Sequence, residues 1–224
     1  MIGLIPAAGD AKRMLEIPKF LLPIFKTEKT LISWHIENQL KFCERVVIIT
    51  KPENAIFFRH LAQNEKISIL VVETKTMSES ILRAVESFPS DQYILGMPDT
   101  YTVGENPYEI LIKNIDNSNM LLALWDIKKD QFGTLGQVLL RGDNTVADVK
   151  DKDIDCKYPV FWGLIKFDNQ IIKHIKKEDE HIGFSIMPAA NSGLIVKGLI
   201  VGGRYFDCGT MGKYEKLIEF LYKH

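Results

Sequence analysis

The 224-residue chain is 46% apolar and 25% charged, with a net charge of −1. That is an ordinary globular composition, long enough for one substantial core. Its 28 basic residues against 29 acidic ones exclude a broad positive field for duplex nucleic acid, and no apolar run reaches the ~18 residues of a membrane-spanning helix. Cys43, Cys156 and Cys208 are odd in number and far apart, with no Cys-x-x-Cys or Cys/His cluster, so neither a disulfide framework nor a structural zinc site is expected. Asp10, Lys12 and Arg13 interrupt the first apolar run. No signal peptide is therefore expected, and the predicted compartment is the reducing cytoplasm.

Ile2-Gly3-Leu4-Ile5 reads as a buried first strand, followed by the small-residue turn Ala7-Ala8-Gly9. Such a turn lets backbone N–H groups approach an anion closely. Lys12, Arg13 and Lys19 place positive charge beside it. Thr30 is the predicted N-cap of a helix whose stripe includes Leu31, Trp34 and Leu40. Residues 45–50 form a nearly continuous apolar strand, as a parallel strand covered on both faces requires. Pro52 opens a predicted helix through about Gln63. Strands follow at 67–72 and 92–96, with a helix over 78–87 between them. This alternation predicts an open, mostly parallel α/β sheet, and ligands collect outside the carboxyl ends of its strands. Asp99 falls there.

Asn106 caps a predicted helix to Asn114, with Pro107 at its first position. Residues 119–125 form a further strand, and 135–140 with 145–149 a hairpin. The charged segment 148–159 reads as exposed. A strong strand spans 160–167. Helices are predicted over 169–178 and 184–191, with strands at 194–200 and 205–206. Met211, Tyr214, Leu217, Ile218 and Leu221 line one face of a terminal helix over 210–224. No internal repeat, low-complexity tract or linker interrupts the chain.

Three stretches carry a resemblance. Ala8-Gly9-Asp10-Ala11-Lys12-Arg13-Met14 with Pro18-Lys19-Phe20-Leu21-Leu22-Pro23, then Met97-Pro98-Asp99, then Phe206-Asp207-Cys208-Gly209-Thr210 resemble, in order, the signatures of the sugar-phosphate nucleotidylyltransferases. The first stretch also looks like the cytidylyltransferases acting on a polyol phosphate. The resemblance implies a Rossmann-like, GT-A-like nucleotidyltransferase fold: a mixed, mostly parallel sheet with helices on both faces and a small β-rich acceptor region. One domain is expected over 1–224, nucleotide-binding over 1–125 and acceptor-binding over 126–224. The implied partners are a nucleoside triphosphate and a sugar phosphate, with neither nucleic acid nor membrane, and the implied state is a monomer or homodimer.

The resemblance also assigns roles. Arg13 would hold the β- and γ-phosphates, a task suited to a guanidinium's bidentate bonds; the bland alternative is a solvated basic pair with Lys12. Lys19 would meet the α-phosphate. Its apolar neighbours Phe20, Leu21 and Leu22 direct its head out of the core. Asp99 and Asp207 would bind Mg²⁺, which takes one or two carboxylates plus substrate phosphates; alone, each could be a turn or cap residue. Ala7, Ala8 and Gly9 would line the nucleotide through backbone groups, and Glu73 and Ser78 to Ser80 would stand at the base.

Relatives read uracil or thymine with a glutamine amide at the first of these base positions. A glutamate cannot donate to a carbonyl, so base identity stays open. Lys152, Trp162, Gly163 and Glu178 would contact the acceptor, with Lys150 as a rival to Lys152. Three departures stand out: Ala11 replaces the last loop glycine, Lys12 the threonine before the arginine, and Asp153 the proline after the phosphate-binding lysine. These leave a binding module without catalysis as a second hypothesis. A dinucleotide-binding oxidoreductase is weaker, because the turn lacks Gly-x-Gly-x-x-Gly spacing.

Overall fold

The computed structural model describes residues 1–9, 18–114 and 116–224. Among them, nine strands form one sheet and two form a second. The path of the large sheet uses β1 (Ile2–Ala7), β2 (Arg45–Thr50), β3 (Ile67–Val71), β4 (Gln92–Gly96), β6 (Met120–Asp126), β9 (Val160–Asp168) and β10 (Val196–Ile200), in the order β10-β6-β9-β4-β1-β2-β3. The hairpin of β7 (Gly136–Leu140) and β8 (Val146–Asp151) joins it through β9. The small sheet pairs β5 (Thr100–Gly104) with β11 (Gly203–Asp207). All pairings along β4-β1-β2-β3 are parallel, as is β10 with β6, while β9 runs antiparallel to both its neighbours in the path. The sheet is therefore mixed and mostly parallel.

Strand alternation sorts the core into two layers. From β1, Ile2 and Leu4 enter the layer covered by helix α2 (Met77–Ser87); Ile5 and Ala7 enter the layer covered by α1 (Leu31–Leu40) and α3 (Pro107–Lys113). Thr30 and Ser33 close α1 with a reciprocal capping box, and Asn106 caps α3 with Pro107 following, as the sequence predicts. A third, smaller cluster seats α5 (Met211–Lys223) on Leu22, Ile24 and Leu31.

Three elements differ from expectation. Residues 52–63 form a 3-10 helix in which burial recurs at positions 55, 58 and 61, the three-residue repeat of a 3-10 turn. The helix expected over 169–178 stops at His174, again in 3-10 form. Beyond Ile175 the chain reads Lys-Lys-Glu-Asp-Glu and has no apolar side chain to bury. The segment expected as a helix over 184–191 begins with 3-10 geometry over Ile182–Ser185 before α4 (Ile186–Asn191).

The β6–β9 ladder steps from Ala123↔Leu164 to Leu124↔Trp162, leaving Gly163 as the extra residue of a bulge. A Cβ at Gly163 would lie 2.4 Å from the Tyr205 ring and 2.7 Å from that of Trp125. Glycine is needed there because two aromatic rings press on the backbone.

Candidate active site

Strands β1, β2 and β3 build outward in one direction, and β4 then returns to the other side of β1. The carboxyl ends of β1 and β4 thus flank the point where strand order reverses, the place in such sheets where a crevice opens. Gly9 follows β1 and Asp99 follows β4. The candidate phosphate ligand Arg13 lies outside the described residues, as do Ala11 and Lys12.

The chain resumes at Pro18 and makes a single 3-10 turn over Lys19–Leu21, with Phe20 buried. Phe20 packs on Phe58 with ring centroids 5.2 Å apart. This anchor leaves Lys19 facing the crevice, its Nζ 3.8 Å from Asp99 Oδ2.

Asp99 and Asp207, more than a hundred residues apart, meet through backbone register. β5 begins immediately after Asp99, and its antiparallel ladder pairs Thr100 with Asp207. The Cys208 N–H then donates to the Asp99 carbonyl at 2.8 Å. A Cβ built on Gly209 would stand 2.8 Å from Asp207 Oδ1 and 3.7 Å from Asp99 Oδ2, so both carboxylates look onto one space. Burial, then the Asp207 charge, raises the Asp99 pKa, with Lys19 opposing. Asp207 accepts the Gly209 N–H at 2.8 Å and an ammonium bond from Lys213.

Among the described residues, no group of three His, Cys, Asp or Glu side chains converges. The protein would thus offer a cation two carboxylates, both hard oxygen donors with mutual repulsion to relieve. That donor chemistry fits Mg²⁺ completed by substrate oxygens and water.

Behind this corner, His35 is fully buried, and its pKa is lowered to about 4 by burial. Its Nε2 lies 3.0 Å from the Thr100 carbonyl, which can only accept, so Nε2 carries the proton. Nδ1 therefore accepts from the Tyr108 hydroxyl at 2.5 Å. This network fixes the residue next to Asp99.

Two cavities share Pro6, Gly9 and Met77 and form one groove over the end of β1. The smaller, about 160 Å³, adjoins Lys19 and Asp99. The larger, about 340 Å³, is walled by Ala8, Lys51, Thr74, Thr76 and Ser80. Ala7 lines the smaller one. Glu73, named from sequence, is exposed and does not line the groove, and Ser78 is buried with its hydroxyl unpartnered. Ser80, within the stretch named from sequence, lines the groove with Thr74, their hydroxyls 2.5 Å apart.

The candidate acceptor residues divide. Lys152 sits at a left-handed φ of 48°, with Nζ 3.2 Å from Glu180 and 3.8 Å from Asp151. His181 Nδ1 accepts the Gly183 N–H at 3.2 Å; Nε2 therefore carries the proton and faces Asp151 at 3.3 Å. Burial pushes the Asp151 carboxyl up, but His181 and Lys152 outweigh it and hold the pKa below its usual value. Trp162 stands beside His181 with ring centroids 5.6 Å apart.

Gly163 faces the other layer, under Tyr205. Glu178 is exposed, and Glu180 takes the place beside Lys152. Lys150 pairs instead with Asp148 at 3.4 Å. The cluster reaches the groove through α2, whose Met77 N–H donates to the Glu180 carbonyl at 3.1 Å. Glu180, His181 and Lys213 were not singled out from sequence. The one signal for His181 is its place two residues before Gly183, which lets it cap a turn.

Fold and corner together define an α/β protein with Asp99, Asp207 and Lys19 gathered at the switch point of its sheet. The model of the MobA-like NTP transferase domain family matches residues 3–154, and the chain belongs to that family. Solved structures share its fold. UDP-glucose pyrophosphorylase complexed with UDP-glucose aligns with a TM-score of 0.83 at 17% identity, covering 99% of this chain and 98% of that one. A putative glucose-1-phosphate thymidylyltransferase from Bacillus anthracis aligns at 0.82 and 14% identity, covering 98% and 95%. The inositol-1-phosphate CTP transferase from T. maritima aligns at 0.75 and 17%, covering 97% and 94%. At such identities the likeness is one of fold. No curated protein sequence matches the chain.

Proposed function

We propose that this member of the family transfers a nucleoside monophosphate from a nucleoside triphosphate to a sugar phosphate, releasing pyrophosphate. The observation that carries the reading is the approach of Asp99 and Asp207, brought together where the β5–β11 ladder pairs Thr100 with Asp207, with Lys19 facing Asp99. Residues 1–125 would hold the nucleotide and 126–224 the acceptor, within one domain. Ala7, Ala8 and Gly9 would line the nucleotide through their backbone.

A phosphate oxygen of the acceptor attacks the α-phosphorus; that O–P bond forms as the bond to the bridging oxygen of the β-phosphate breaks. No general base is needed, because a phosphate monoester is largely ionised near neutral pH. Lys19 neutralises charge on the α-phosphate, and Arg13 would hold the departing β- and γ-phosphates. Asp99 and Asp207 would hold Mg²⁺, which when bound neutralises phosphate charge and helps align the reactants. Lys152 would meet the acceptor phosphate, with Trp162 beside the acceptor; Gly163 enters through the bulge that aims Trp162.

Incubation with Mg²⁺, each common triphosphate and a panel of sugar phosphates should release pyrophosphate. Absence of turnover with every pairing, in protein shown to be folded, overturns the reading. A cytidylyltransferase acting on a polyol phosphate is the second reading, supported by the likeness to the inositol-1-phosphate CTP transferase. CTP with inositol 1-phosphate belongs in the same panel and separates the two.

A further inference from the structure

A third cavity, of about 240 Å³, opens between β11, α5 and residues 128–135. It shares no lining residue with the nucleotide groove, although Asp207 of the carboxylate corner stands in its wall. Leu135 and Tyr205 in its wall belong to the core layer under α1 and α3, whereas Trp162 belongs to the opposite layer. The cavity therefore lies on the other face of the sheet from the His181 cluster.

Its lining is strongly charged. Lys128, Arg204, Lys213 and Lys216 contribute four cations against the carboxylates of Asp130 and Asp207. Both carboxylates are already engaged: Lys216 Nζ is 3.0 Å from Asp130, and Lys213 is bonded to Asp207. Among the described residues, no carboxylate lies within ion-pairing distance of Lys128 or Arg204. Two cations without an ion-pair partner among the described residues thus face one concave surface.

Arg204 is also pre-organised. Its guanidinium carbon stands 4.5 Å from the centroid of the Phe220 ring, a stacking that leaves the N–H edge free. A stacked guanidinium loses little further freedom on binding, and its planar fork matches two oxygens of a phosphate group.

We propose that this cavity is a second anion site, separate from the nucleotide groove, that takes a phosphate group, with Arg204 as its bidentate donor and Lys128 as a second charge. The phosphate could be free or carried by a small monoester, and the two sources are distinguishable.

Isothermal titration calorimetry of the whole protein with inorganic phosphate, and separately with glycerol 3-phosphate, tests the site. A saturable phase is expected that is weakened about tenfold or more in Arg204→Gln and in Lys128→Gln and is kept in Lys19→Ala, which removes only phosphate held in the nucleotide groove. Tighter binding of glycerol 3-phosphate assigns a monoester; equal binding assigns the free ion. Absence of binding by either probe overturns the proposal, as does a titration that neither cavity variant changes or one lost entirely in Lys19→Ala. Lys128 stands on an exposed three-residue turn, so its variant keeps the test open should Arg204→Gln fail to fold. The readout is independent of turnover, so failure here leaves the transferase reading standing.

Discussion

The Asp99–Asp207 corner and the Asp151–His181 cluster are both built around carboxylates, and they treat charge in opposite ways. In the corner, backbone register forces two carboxylates to share a space. The Asp99 pKa rises, and Lys19 answers only from 3.8 Å. In the cluster, Asp151 has His181 and Lys152 close by, and its pKa falls. In the first region Lys213 answers Asp207 and Lys19 stands farther from Asp99, so Asp99 keeps a raised pKa. The second is satisfied from within, by His181 and Lys152.

Asp99→Asn probes this contrast most directly. If the corner exists to hold a cation against phosphate, pyrophosphate release should fall by two orders of magnitude or more, about 3 kcal/mol in the barrier. A carboxyl held above its usual pKa weakens the fold at neutral pH. The same variant should therefore melt no lower than the parent. Lost activity together with a lowered melting temperature would mean that Asp99 is structural, and the contrast would break.

The next effect is on stability, from the network behind the corner. His35 has its pKa lowered from 6.5 to about 4 by burial. Between these values the unfolded chain binds a proton that the folded chain does not. The stability that neutral His35 provides is complete above pH 6.5 and is lost as pH falls toward 4. The size is about 3 kcal/mol at the extreme. Urea melts at pH 7 and pH 5 should show the parent losing stability on acidification, and His35→Gln losing less. An equal loss in both would remove His35 as the cause.

The two regions were not equally legible in the sequence. Strands β1, β2, β4 and β9 announce themselves by apolar runs, and Asp99 and Asp207 by short motifs at the ends of strands. β5 did not, because Thr100–Gly104 follows β4 after only three residues and reads as part of a turn; its partner β11 comes a hundred residues later. Yet that pairing joins the two aspartates. The groove side chains were partly legible: Ser80 falls within the stretch named from sequence, while Thr74 lines the groove where Glu73 does not, since a loop ahead of a helix carries no periodicity to fix its register. The acceptor cluster was half legible: Lys152 and Trp162 lie in strands or at their ends, while Glu180 and His181 lie in a charged turn without a pattern.

Gly163→Ala sharpens the comparison from the side of the sheet. The added methyl would meet Tyr205 and Trp125 at 2.4 and 2.7 Å, and overpacking of this kind costs about 1–3 kcal/mol. The bulge also separates Trp162, which faces the His181 cluster, from Leu164 in the other layer. The melting temperature should fall, and if Trp162 shapes the acceptor wall, the KM for acceptor should rise while that for triphosphate stays. A rise in both would place the disturbance in the whole sheet.

The smallest effect on stability belongs to Lys152, and it is the most discriminating. Its pairs with Glu180 and Asp151 join side chains that are 52%, 73% and 18% exposed, and exposed pairs contribute at most about 1 kcal/mol. Lys152→Met should therefore shift the melting temperature by only about 2 °C. A lysine that meets the acceptor phosphate makes a charge-assisted bond worth about 1.5–3 kcal/mol, so the acceptor KM should rise about tenfold or more. A small change in both quantities would reduce Lys152 to a surface charge. A large change in KM alone would assign Lys152 to the acceptor phosphate and leave its pair with Glu180, 3.2 Å away, as a minor contribution to the fold.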